Sequence, residues 1–112
     1  MKLITAVVRR QCLEDVRNAT ALMGLEGLTV IDTEEHGANA GRTEVYRGAE
    51  YRSDSESRIR IEVAVADDLA EQVVEAICNI ARTGRDGDGT VFVSALAEAY
   101  RIRTGETGAA AI

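Results

Sequence analysis

Arg101 and Arg103 stand two residues apart near the end of the chain, separated by Ile102. On an extended strand that spacing turns both guanidinium groups to one face, where paired planar forks suit phosphate oxygens. A second candidate is the run Thr-Gly-Arg-Asp-Gly-Asp-Gly at residues 83–89, in which Gly84, Gly87 and Gly89 punctuate Asp86 and Asp88. Glycine reaches backbone conformations that other residues avoid, so such a turn can aim successive N–H groups at an anion. Each pattern alone has a plainer reading: two solvated charges, and an ordinary turn after a helix. Tyr51 sits in a polar, glycine-punctuated stretch and carries a phenol that could take a nucleotidyl group, although a packing role is the simpler reading. His36, beside Glu34 and Glu35, has the donor types of a metal site, but a lone loop histidine among acids is ordinarily solvated. No Ser/His/Asp or Cys/His set is evident, and the acids offer no clear acid and base pair, so binding is expected rather than catalysis.

Elements that could position these groups follow from hydrophobic periodicity. Leu3, Ile4, Ala6, Val7 and Val8 mark a strand over residues 2–9, and Leu13, Val16, Ala19 and Met23 share one face of a helix over 12–23, stopped by Gly24. Residues 25–33 read as a second strand with Leu28, Val30 and Ile31. Residues 34–57 are polar and almost free of aliphatic side chains, and read as a long loop without regular structure. Over residues 58–66, Ile59, Ile61, Val63 and Val65 alternate with Arg58, Arg60, Glu62 and Ala64. Asp67 and Asp68 suit the start of a second helix, whose Leu69, Val73, Ile77, Ile80 and Ala81 recur at helical spacing before Gly84; residues 90–95 form a last, shorter strand. The order predicts an α+β, ferredoxin-like βαββαβ sandwich with both helices on one sheet face. So long a loop inside one small domain is expected to be functional.

The chain has 112 residues and a net charge of −6, room for one domain and no clustered basic footprint for nucleic acid. A single chain of this length buries only about 65% of its unfolded surface, so self-association would help it. No apolar run approaches the roughly 20 residues of a membrane span, and residues 1–10 lack signal-peptide features, so a cytoplasmic location without membrane insertion is expected. Cys12 and Cys78 match no CxxC or zinc spacing and are expected to be reduced thiols.

The run Tyr46-Arg47-Gly48-Ala49-Glu50-Tyr51 resembles the signature of the PII nitrogen-regulatory signalling family, and residues 83–89 and 101–106 resemble two other characteristic stretches of it. Three separated motifs at compatible spacing are more specific than any one, and the resemblance runs from end to end as one PII-like domain over 1–112. It implies a homotrimer that binds ATP or ADP in the clefts between subunits and regulates partner proteins, a transporter or an enzyme of nitrogen metabolism, through a mobile loop at about 37–55. By the same resemblance, Val7, Thr29, Glu62 and Ala64 surround the adenine. Gly37, Gly87, Asp88, Gly89 and Thr90 lie along the nucleotide, and Arg101 and Arg103 reach the phosphates from the neighbouring subunit. Arg47 matches the residue relatives insert into an ammonium channel, and Tyr51 the residue many relatives uridylylate, which implies an ammonium transporter or a nucleotidylyltransferase as partner. The serine that some relatives phosphorylate is replaced by Ala49.

The family also senses 2-oxoglutarate beside a magnesium ion on ATP, which the resemblance carries onto Asn39, Gly41 and Arg58. Here the chain departs from its relatives, which usually carry glycine at Glu35, arginine at Ala38, glutamine at Asn39, and lysine at Ala40, Arg58 and Thr90. Asn39 is one methylene shorter than glutamine, and metal sites tolerate ligand displacements of only about a few tenths of an ångström, so a weakened oxoglutarate response is expected. Losing two cationic phosphate contacts, each about 1.5–3 kcal/mol, weakens triphosphate binding by roughly two orders of magnitude or more. One alternative is therefore a sensor that reads ADP, AMP or another small anion without 2-oxoglutarate. A second is a small phosphoryl-group enzyme with Arg101 and Arg103 as anion clamps, and a third is a structural or metal-responsive trimer using Glu34, Glu35 and His36.

Overall fold

The computed structural model describes residues 1–34, 43–46, 49–52 and 57–112. Strands β1 (Lys2–Arg9), β2 (Thr29–Asp32), β5 (Arg58–Val65) and β6 (Thr90–Ala95) form one antiparallel sheet in the order β2-β5-β1-β6. The register sets Ile4 opposite Val63, Ala6 opposite Ile61 and Val8 opposite Ile59. Because side chains alternate along a strand, this row of aliphatic residues shares one face and is buried there. Arg58, Arg60, Glu62 and Ala64 are thereby sent to the other face.

Two helices cover the aliphatic face. Helix α1 (Leu13–Leu22) buries Val16 and Thr20, whose hydroxyl donates to the Val16 carbonyl at 2.9 Å, and α2 (Asp67–Ala81) buries Ala70, Val73, Ile77 and Ala81 at intervals of three and four. Helix α1 ends as its glycine predicts: Gly24, at φ +83°, donates to Ala21, and Leu25 donates to Thr20, the paired bonds of a Schellman cap. Each β-α-β unit is split by a strand of the other, which is the α+β, ferredoxin-like arrangement the periodicity predicts.

Several local expectations are corrected. Helix α1 starts at Leu13, after a 3-10 turn Arg10–Cys12, and β2 keeps only four residues, those that pair with Thr29↔Glu62 to Asp32↔Ile59. Residues 34–57 are not without regular structure: β3 (Thr43–Tyr46) and β4 (Ala49–Arg52) pair as an antiparallel hairpin, where Thr43, Val45, Tyr46 and Tyr51 supply the strand propensity that aliphatic counting overlooks. Asp67 and Asp68 open α2 as expected, in its first turn, with Asp67 bonded to the Met1 ammonium at 2.8 Å. Helix α2 stops at Ala81, short of Gly84, because Arg82 turns extended and the next two amides are drawn to a carboxylate described below. Residues 101–104 form a turn, not a strand. Arg101 donates to Glu106 and Gly105, at φ +74°, donates back to Arg101, both at 2.8 Å, while Tyr100 bridges to Thr107.

Ile61, on a central strand and 1% exposed, belongs to the buried core, so Ile61→Ala is expected to lose about 2–5 kcal/mol, measured as a lowered urea midpoint at unchanged slope.

Candidate functional site

The alternation that buries Ile59 to Val65 gathers the candidate adenine residues on the open face of the sheet. Thr29 pairs with Glu62, Glu62 with Thr5 and Thr5 with Phe92 in one row; Val7 pairs with Arg60 and with Thr90; Leu3 pairs with Ala64. Val7, Thr29, Glu62, Ala64 and Thr90 therefore share one surface, with the half-exposed Phe92 and Ile31 among them. Arg60 Nε meets Glu62 at 2.9 Å. Arg58 opens β5 opposite Arg9 at the sheet end where the glycine-rich turn arrives.

That turn owes its shape to glycine. Gly87 has φ +89° and Gly89 has φ +109°, and a methyl group would collide with the Arg58 guanidinium at Gly87 and with the Val7 carbonyl oxygen at Gly89. At Gly89 backbone thus packs on backbone, and the pairing of Val7 with Thr90 brings about the approach. The Asp88 carboxylate is enclosed by its own chain. One oxygen accepts from the Thr83 amide at 2.8 Å and the Gly84 amide at 2.9 Å; the other accepts from the Thr83 hydroxyl and from Arg9 Nη1 at 2.6 Å. The second arm of Arg9 donates to the Asp86 carbonyl at 3.0 Å. The hydroxyl of Thr83, then Arg9, then the backbone amides hold the Asp88 carboxyl well below the usual carboxylate range. Arg9, with 2% of its side chain exposed, is a site residue that the sequence reading missed. No spacing marks it, because its partner lies 79 residues away and only the strand register brings the two together.

The two candidate arginines lie elsewhere. Arg101 approaches Glu106 at 3.5 Å and lines a cleft of about 520 Å³ with Gly24, Leu25, Val63, Ala64 and the C-terminal Ala111 and Ile112. Arg103 sits exposed on the same turn. Ala64 and Arg58 are six residues apart on β5, so the arginine end and the glycine end of the face are separated by roughly 20 Å within one chain. Gly37, Asn39, Gly41 and Arg47 lie outside the described residues, as do Glu35 and His36; Tyr51 lies on β4 in register with Glu44. Arg10 ties the two ends of this segment to the sheet: its amide donates to the Ser57 carbonyl at 2.9 Å, its Nε to the Ser57 hydroxyl at 3.1 Å, and its Nη2 to Asp32. Cys12 and Cys78 are free thiols, and burial pushes the Cys12 thiol up, against the pull of Arg9. Among the described residues no cluster of His, Cys, Asp and Glu could hold a metal ion, and no helix is long and apolar enough to cross a membrane.

The Asp88 carboxyl gives a pH prediction. Its folded value lies below the ordinary 3.8, so its stabilisation is complete above the unfolded value and lost as pH falls towards the folded one. Wild-type stability should therefore drop in acid below about pH 4.5, and Asp88→Asn should lack that part of the drop; urea midpoints between about pH 2.5 and 7 check it.

Residues 1–106 match the family model described as Nitrogen regulatory protein P-II. The chain is 49% identical to the nitrogen regulatory protein P-II of Rhizobium meliloti (strain 1021) and 46% identical to that of Bradyrhizobium diazoefficiens, over 112 residues and the whole of each chain. It is 43% identical, again over 112 residues and 100% of both chains, to the nitrogen regulatory protein GlnK of Escherichia coli (strain K12). With a split βαβ fold and family motifs matched along almost its full length, the chain belongs to the nitrogen regulatory protein P-II family.

Proposed function

We propose that the protein is a cytoplasmic, non-enzymatic homotrimer that binds ATP or ADP between subunits and regulates partner proteins of nitrogen metabolism through residues 37–55. The observation that carries this reading is the division of the phosphate machinery. Gly87, Gly89 and Thr90 stand at one end of the open face and Arg101 and Arg103 at the other, so one chain cannot bring them to one phosphate group, whereas a neighbour's arginines can complete the site. The half-exposed Phe92 and Ile31 give that face the apolar surface an assembly would cover. Val7, Thr29, Glu62 and Ala64 offer the adenine a mixed apolar and hydrogen-bonding wall. An ammonium transporter or a nucleotidylyltransferase acting at Tyr51 is the partner expected for the 37–55 segment.

A second reading is favoured by the missing cations at Ala38 and Thr90: a sensor of ADP, AMP or another small anion that lacks a 2-oxoglutarate response. Titration calorimetry with ATP, ADP and AMP, each with and without magnesium and 2-oxoglutarate, separates the two.

Light scattering should give three times the chain mass, and a stable monomer at micromolar concentration would refute the assembly. Arg103→Ala should weaken nucleotide binding by about 1.5–3 kcal/mol without changing thermal stability of the unliganded protein, because the lost bonds are charge-assisted and aimed at a ligand. ATP should bind no more than about tenfold tighter than ADP, and Ala38→Arg should strengthen ATP more than ADP; a wild-type preference of about a hundredfold, roughly 2.7 kcal/mol, would mean that another group replaces the missing cations.

A further inference from the structure

The turn at residues 83–89 already holds an anion, its own Asp88 carboxylate. The amides of Thr83 and Gly84 and the Thr83 hydroxyl donate to that carboxylate, while the Arg85 amide donates to the Thr83 hydroxyl oxygen at 3.1 Å. The Arg9 guanidinium closes the ring from below, bonding Asp88 with one arm and the Asp86 carbonyl with the other. A β-carbon on Gly87 would collide with the Arg58 guanidinium and lie 3.4 Å from that of Arg9, so the two arginines together bound the turn at Gly87. A guanidinium this deeply buried needs a carboxylate, and removing one partner leaves an uncompensated charge. The turn is therefore fixed by charge pairing as well as by glycine conformations.

We propose that the Asp88 carboxylate does not touch the nucleotide and that the Asp88 and Arg9 side chains are a positioning pair, which casts the turn so that the backbone of its second half, Gly87 to Thr90, is left to receive phosphate. The proposal rests on the nucleotide reading above. It has a consequence that simple charge counting does not share. A carboxylate near a phosphate site repels the ligand, so charge alone predicts that Asp88→Asn strengthens ATP binding. Positioning predicts the reverse, because the asparagine NH2 confronts donors and the turn loses its cast. A purely structural role would lower stability and leave the affinity of the folded protein unchanged.

The test uses the full chain with ATP alone as probe, comparing wild type, Asp88→Asn, Arg9→Lys, the double variant and the milder Thr83→Ala, which keeps the carboxylate and removes one donor. Calorimetry is combined with hydrogen exchange at the Thr83 and Gly84 amides. The expected result is a loss of about tenfold or more in ATP affinity for Asp88→Asn and a smaller loss for Thr83→Ala. Exchange at the two amides should rise by a similar factor while amides of Val73 and Ile77 in α2 keep their protection. The double variant should bind no more weakly than Asp88→Asn alone, since both changes break one unit. Wild-type-like or tighter ATP binding by Asp88→Asn, unchanged exchange, or additive losses would each overturn the positioning role while leaving nucleotide binding intact. If Asp88→Asn does not fold, Thr83→Ala decides by the same two readouts. Where wild type binds ADP but not ATP, ADP serves as the probe with the same expected losses; a wild-type protein that binds neither brings down the nucleotide reading itself, and with it any role in positioning a nucleotide.

Discussion

Arg9 carries a positive charge at the end of a central strand, almost wholly out of water, and everything at that end of the molecule is arranged around its neutralisation. The desolvation of a guanidinium is offset only by a well-placed anion and by acceptors for its remaining donors. Asp88 and the Asp86 carbonyl supply these, and both come from the turn that the pairing of Val7 with Thr90 sets beside the end of β1. Once the turn is drawn in, Gly89 must pass against the Val7 carbonyl, and a residue with a side chain has no room there. The same attraction takes the amides of Thr83 and Gly84 away from the end of α2, which is why that helix stops before its glycine. The Asp88 carboxylate thus joins the end of a helix, the glycine-rich turn and the buried arginine of β1.

The sheet imposes the second constraint. A period of two leaves β5 no choice: with Ile59, Ile61, Val63 and Val65 under the helices, Arg58, Arg60, Glu62 and Ala64 must face outward. This much was legible in the sequence, because alternation is a local property, and so was the Gly24 cap, whose signal is a single residue after a periodic run. The hairpin of β3 and β4 was not legible, since its strands are short and rich in Thr, Tyr and Glu rather than aliphatic residues. The turn at residues 101–104 was misread for the opposite reason. Alternation of Arg101, Ile102 and Arg103 imitates a strand over three residues, while Gly105 and the bond from Arg101 to Glu106 close the chain beyond that window. Arg9 was invisible because its meaning depends on a partner far away in sequence.

The neighbouring arginines at the end of β1 show how burial changes what the same side chain does. Arg9 is sealed in, and its pair resists disruption because breaking it strands a charge. Arg10, half exposed, bonds Asp32 and Ser57 in water, where such a pair contributes only about 0.2–1 kcal/mol. Two consecutive residues therefore hold the two segments that leave this end of the sheet with very different strength. The turn at 83–89 is fixed by a contact that cannot be exchanged cheaply. The ends of the segment between Asp32 and Ser57 are tied by contacts close to thermal energy, which a ligand or a partner of modest differential affinity is able to outcompete. On the proposed function, in which the turn at 83–89 stays fixed while the longest connection responds to what is bound, that is the division of strength the chemistry requires, and it follows from the exposure of two adjacent guanidinium groups.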